Sequence, residues 1–159
     1  MAEGARAAVL LAEIRADRAA IDAQSTVLER ALTSVPWDAE APTLAVVAVA
    51  LHHFYSAAES VFERVARAFE GVPERGDRWH RDLLERMAMD LDGIRPGVLR
   101  RDTVIALLPV LGFRHFFRHA YAVAFDPARL EGVARDALSA RTQLVLDLDR
   151  FEVILGARS

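Results

Sequence analysis

Hydrophobic residues along this chain recur at intervals of three and four, and almost nowhere at intervals of two. Across residues 5–32 the apolar positions Val9, Leu10, Ile14, Ile21, Leu28 and Leu32 are separated by Glu, Arg and Asp, the spacing of an amphipathic helix with one face turned to a core. Pro36 and Pro42 then mark residues 34–43 as a linker, because proline lacks the N–H that a helix interior needs. Residues 44–70 run without Gly or Pro up to Gly71 and predict a second long helix, largely buried along the apolar run 44–51 at its start. A turn at 71–76 leads to Asp77, a side chain suited to cap a third helix over 78–91. The Gly- and Pro-containing stretch 92–97 breaks the chain again. Asp102 suits the cap of a fourth helix over 102–123, which Pro109 should bend or restart. Asp126-Pro127 is a cap followed by proline at the first helical position, and predicts a fifth helix over 127–155. The pattern contains no sustained period of two, no internal repeat and no low-complexity tract. It therefore predicts one all-α domain, residues 1–159, built as an up-and-down bundle of four or five helices.

Composition narrows the function classes. With 159 residues, 53% of them hydrophobic and 27% charged, the chain is globular in type. A chain of this length buries roughly two-thirds of its unfolded surface. The absence of cysteine excludes disulfides, thiolate metal sites and cysteine nucleophiles. The longest apolar run, 44–51, is far short of the ~20 residues of a membrane span. The short run 7–12, closed by Glu13, does not resemble a secretory signal. A cytoplasmic protein without membrane association is expected. The net charge of -3 argues against a general polyanion coat. All 20 basic residues are arginine, the cation suited to bidentate phosphate contact.

Most enzyme templates are missing: there is no glycine-rich phosphate loop, nucleophile elbow or calcium loop. Unusual residues concentrate instead in Phe113-Arg114-His115-Phe116-Phe117-Arg118-His119-Ala120-Tyr121. Projected at about 100° per residue, Arg114, His115, Arg118, His119 and Tyr121 share an arc of roughly 160°, opposite Val110, Phe113, Phe116, Phe117 and Ala120. One face packs and the other offers two guanidiniums, two imidazoles and a phenol. Such a face suits a phosphate, with an imidazole to move protons. A plain solvated face has the same composition. A metal site is disfavoured, since His115 and His119 are four residues apart without the carboxylate of the zinc-protease helix, and arginine repels a cation. No metal and no cofactor are expected.

Arg114, His119 and Tyr121 spell R-x4-H-x-Y. Chance would supply the Arg-His pair about 0.6 times in this composition, and the full triplet about 0.01 times. The motif resembles the signature of the HepT-like toxins of the HEPN superfamily. Residues 51–59, with His52, His53, Tyr55 and Glu59, and Arg78-Trp79-His80 add to the resemblance, which covers 44–155. It implies a HEPN-like helical bundle and the toxin of a type II toxin-antitoxin system: a metal-independent endoribonuclease, active as a homodimer with the motif at a shared cleft. Its substrate would be an RNA such as a tRNA or an mRNA. In that family the histidine, here His119, handles the proton of the ribose 2'-hydroxyl or of the leaving oxygen, and the arginine, here Arg114, stabilises phosphate charge. The tyrosine, here Tyr121, receives AMP from a partner nucleotidyltransferase antitoxin of the MNT type, which silences the toxin. His115, Arg118, Glu59 and His53 are candidates for assisting roles.

On one helix Arg114 and His119 lie about 140° apart, so two copies across a two-fold axis would pool their groups. His52, Tyr55 and Glu59 form a stripe on the second helix that suits either a cleft border or hydrogen-bonded structure. Trp79-His80 has the character of a packing corner, and Arg95, Arg100 and Arg101 that of a solvated loop or an RNA contact. The alternative to a ribonuclease is a non-catalytic HEPN module that binds the nucleotidyltransferase or a nucleotide. A third option is a bundle holding a small ligand or a metal.

Overall fold

The computed structural model describes residues 2–34, 36–38, 40–72, 74–119 and 124–157. Five helices follow one another: α1 (Ala2–Ser34), α2 (Ala41–Glu70), α3 (Trp79–Arg86), α4 (Arg101–His119) and α5 (Pro127–Gly156). No strand occurs among the described residues, only an isolated bridge between Leu91 and Arg95. The all-α bundle expected from the periodicity is the fold. All five helices contribute to one hydrophobic cluster, with Ile14, Ile21, Leu28, Leu51, Phe54, Phe62, Leu84, Leu107, Leu144 and Phe151 almost fully buried. Helix α2 is central, packing against each of the other four. By length and composition it could cross a bilayer, yet 56% of its most apolar window is buried inside the bundle. Burial of that kind marks a core helix rather than a lipid-facing one.

Helix α1 extends a few residues beyond the expected 5–32, and α2 begins at Ala41. Pro42 therefore sits inside the first turn of α2 rather than in the linker. Its missing N–H is one of those a first turn leaves unpaired in any case. Helix α5 begins as expected: Asp126 Oδ1 accepts from the Ala128 N–H at 3.0 Å and the Arg129 N–H at 3.5 Å.

The third helix departs most from expectation. It spans 79–86 rather than 78–91, and Arg78, not Asp77, occupies the cap position without a side-chain bond. Beyond Arg86 the backbone finds tertiary partners. The Met87 carbonyl accepts from the N–H groups of Val98 at 2.8 Å and Leu99 at 3.0 Å, and the Leu91 N–H donates to the Arg95 carbonyl at 2.8 Å. Gly93, at φ 71°, turns the chain between them in a conformation that favours glycine. The buried side chain of Arg95 locks this segment. It pairs with Glu70 at 2.6 Å and donates to the carbonyls of Arg86, Met89 and Pro96. Arg95 is thus structural, and not an RNA contact.

Helix α4 starts one residue before Asp102, which lies in its first turn instead of capping it. The cap comes from α5. Asp147, 1% exposed, accepts from the Arg100 N–H at 2.9 Å, Arg100 Nε at 2.6 Å and Thr103 Oγ1 at 2.6 Å. Pro109 lies within α4 without interrupting it. The carbonyl it leaves unpaired belongs to Ile105, on the exposed side of the helix, where water can bond it. Residues 120–123 of the expected fourth helix fall outside the described residues. Because Asp147 satisfies three donors at the start of α4, Asp147→Ala should destabilise the fold by about 2–4 kcal/mol. A urea titration checks this, and an unchanged midpoint would refute the capping role.

Candidate active site

Helices α2, α3 and α4 converge on one buried carboxylate. Glu59 on α2 is 4% exposed, and a charge at that depth must be paired. Arg114 on α4 supplies one partner, Nη2 to Oε1 at 3.2 Å, and His80 on α3 the other, Nδ1 to Oε2 at 2.7 Å. Arg114 Nε donates to Ser56 Oγ at 3.1 Å, and its guanidinium lies 5.8 Å from the centre of the Tyr55 ring, within cation–π range. The 3.4 Å approach of Arg114 Nη1 to His80 Nδ1 is not a hydrogen bond once that nitrogen carries the proton shared with Glu59, since both atoms are then donors. The Glu59 bond thereby fixes the His80 tautomer and leaves Nε2 as its second ring nitrogen.

Arg114 is 9% exposed, and so does not stand on the solvated face of its helix with His115, Arg118 and His119, as the projection predicted. Helical projection assumes an apolar neighbour. Here the neighbouring surface carries Ser56 and Glu59, and the guanidinium turns toward them. Arg114 and His119, although about 140° apart by projection, line the same cleft of about 560 Å³. Arg78, Trp79, His80 and Arg81 form one wall and Leu108, Leu111, Gly112, Arg114, His115, Arg118 and His119 the other. Four arginines face a single lining carboxylate, Asp77. Arg78 and Arg118 have no ion-pair partner among the described residues, so their charge remains available to a ligand.

His119 is exposed. Its Nδ1–H donates to the His115 carbonyl at 2.7 Å, which holds the ring as the Nδ1–H tautomer and leaves the Nε2 lone pair free. The His115 ring lies 4.4 Å from it. His53 on α2 is exposed and touches the edge of the His52 ring at 5.5 Å, away from the cleft lining. Tyr121 lies outside the described residues. Among the described residues no group of three or more His, Asp and Glu has the arrangement of a metal site. The sequence pattern does not single out Ser56, and reading Trp79-His80 as a packing corner misses the bond from His80 to Glu59. Their only signal was the neighbourhood of the motif-like stretches, because what gives them a role is a contact across helices.

A family model described as HepT-like protein matches residues 46–155, which takes in α2 from its second turn, all of α3 and α4, α5 but for Gly156, and the Glu59, His80 and Arg114 contacts. The chain belongs to the HepT-like family. Neither a curated protein nor a solved structure matches it. The HepT-like family is of the HEPN toxin type and is generally associated with ribonuclease activity, so the matched segment is the part of the chain in which a nucleic-acid cleft is to be sought. Among the described residues α1 is the helix that lies outside the match, and ion pairs tie it to the bundle: Arg64 to Glu13 and Asp17, and Arg18 to Asp149 and Glu152.

In this HepT-like chain α2 also carries His52 behind the cleft. Its ring lies tilted 5.0 Å from that of Phe117, and its buried Nδ1 has no hydrogen-bond partner. Burial first, and then the positive charges of Arg114, His53 and Arg118, push its pKa below the ordinary 6.5. A group whose folded pKa is depressed adds stability above its unfolded pKa and loses it as pH falls toward the folded value. His52 should therefore titrate below 6.5 in an NMR pH titration. His52→Phe should flatten the fall in stability just below that pH, and a midpoint above 6.5 would contradict the electrostatics.

Proposed function

We propose that this HepT-like protein is the toxin of a type II toxin-antitoxin pair and acts as a metal-independent endoribonuclease at the α3–α4 cleft. The observation that carries the reading is the convergence of Arg114, Arg118, His115 and His119 on one open cleft with an excess of arginine over carboxylate. A phosphodiester in the cleft meets guanidiniums whose forks match its oxygens. His119 Nε2, free because Nδ1–H is committed to the His115 carbonyl, takes the proton from a ribose 2'-hydroxyl. The oxygen attacks phosphorus, and the negative charge that builds on the phosphate faces Arg114 and Arg118. Arg114 is pre-aimed: Glu59 and Ser56 engage its Nη2 and Nε, so little reorganisation is needed when the charge develops.

A homodimer that faces two such clefts across a two-fold axis would double the cationic surface available to a tRNA or an mRNA. A cognate MNT-type nucleotidyltransferase that transfers AMP to Tyr121, two residues beyond His119, would place a phosphate and a nucleoside beside the motif. That added bulk and negative charge oppose RNA entry. The reading of a non-catalytic module has no observation in its favour that the ribonuclease lacks, and the two part on one experiment. His119→Ala should lower RNA cleavage by about 10²–10⁴-fold and relieve growth inhibition, with the circular dichroism spectrum unchanged; undiminished cleavage would overturn the assignment. Tyr121→Phe should remain toxic in the presence of the antitoxin, with AMP found at Tyr121 of the wild-type protein by mass spectrometry. AMP at another residue would overturn that part.

A further inference from the structure

The cleft holds a second imidazole that is positioned as carefully as the first. His80 enters from α3, its Nδ1–H bonded at 2.7 Å to Glu59, and its side chain is 25% exposed where it borders the cleft opposite α4. The two histidines differ in what stands behind them. His119 leans on a neutral carbonyl, that of His115, and has no carboxylate partner among the described residues. His80 leans on a buried carboxylate, the counter-charge that an imidazolium requires. Arg114 shares that carboxylate, so the three groups carry one surplus positive charge toward the cleft when His80 is protonated.

We infer that His80 is the general acid of RNA cleavage, and that Glu59 positions it. The inference rests on the ribonuclease reading. His119 Nε2 accepts the proton of the 2'-hydroxyl as O2' bonds to phosphorus. The bond from phosphorus to O5' breaks, and His80 Nε2–H passes its proton to O5'. The products are a 2',3'-cyclic phosphate and a 5'-hydroxyl, and proton exchange with water resets both rings. Both proton-transfer groups then come from one chain, one on each wall of the cleft, as in-line displacement requires of groups serving the entering and leaving oxygens.

A leaving group that needs no proton separates this role from a structural one. The bond cut by the wild-type protein is mapped on RNA, and the same RNA is made with sulfur in place of O5' at that bond, so that the fragment departs as a thiolate. His80→Ala should cleave ordinary RNA about 10²-fold or more slowly than wild type, yet cleave the thio-substituted RNA at close to the wild-type rate. His119→Ala should be slow on both. Recovery on the second substrate also shows that the variant is folded. Equal loss of His80→Ala on both substrates would overturn the inference, as would undiminished cleavage of ordinary RNA. Either result leaves the ribonuclease reading standing, whereas a wild-type protein that leaves RNA intact refutes both.

Discussion

The carboxylate of Glu59 is the constraint on which the cleft depends. Removing a carboxylate from water costs several kcal/mol, and only close, well-directed cations offset it. Glu59 lies on α2, the helix that packs against all the others, and its two partners come from α3 and α4. The ion pairs therefore set the register of three elements at once. Packing alone leaves more freedom, since apolar side chains in contact tolerate small slides, whereas a buried charge left without its partner does not. With α3 only eight residues long, held to the core by Leu83, Leu84 and the partly buried Trp79, the bond from His80 to Glu59 adds a directional restraint to its packing. The 87–100 segment completes the arrangement, because Arg95 and Glu70 fasten its start and Asp147 its end.

The same pairing explains the state of Arg114. A guanidinium carries five donors in a rigid fork. Here Nε goes to Ser56 and Nη2 to Glu59, while Nη1 lies 3.4 Å from His80 Nδ1 with its donors unspent. The side chain is thus immobilised without being used up. Arg118, one turn further along α4, has no such partner and stays exposed. The two arginines are therefore unlike: one is a fixed dipole-like donor, and the other a mobile charge that can follow a ligand. Tyr55, fully buried beside Arg114, has no hydrogen-bond partner for its hydroxyl, and burial pushes its pKa up. It stays a neutral ring under the guanidinium, adding dispersion and quadrupole attraction without a competing negative charge.

What the sequence showed and what it hid divide along a physical line. The helices with their own periodicity and local stop signals, α1, α2 and α5, were legible because amphipathic spacing, Gly71 and the Asp126-Pro127 start are all encoded within a few residues of where they act. Helix α3 was not, since its early end is dictated by Met87 accepting bonds from Val98 and Leu99, and by Arg95 reaching Glu70. The start of α4 was misassigned for a similar reason: Asp102 looks like a cap, but Asp147, 45 residues on, supplies it. At the site, the motif residues could be picked out as a cluster of rare types on one helix. Ser56, and the contact that gives His80 its role, could not, because they matter only when α2 and α3 meet α4. The burial of Arg114 was hidden too, for a projection wheel knows nothing of the polar surface that a neighbouring helix presents.

The net charge of -3 is reconciled with a polyanion-facing cleft by where the ion pairs lie. Many carboxylates away from the cleft are matched locally: Glu13 and Asp17 by Arg64, Asp22 by Arg141, Asp149 and Glu152 by Arg18. The more exposed of these pairs add little to stability, yet each pair cancels a charge that would otherwise spread its field over the surface. In the cleft, Arg78 and Arg118 are left unmatched among the described residues and stand close to Arg81 and Arg114. Across about 8–10 Å of screening length at physiological salt, a ligand senses these nearby arginines more than the average of the molecule. Unpaired glutamates and aspartates elsewhere add a negative field that favours this cleft over the acidic parts of the surface. Under the proposed function, an acidic protein with a local arginine seam would take a phosphodiester at that seam rather than coat itself with RNA, a restriction that follows from pairing geometry rather than from composition.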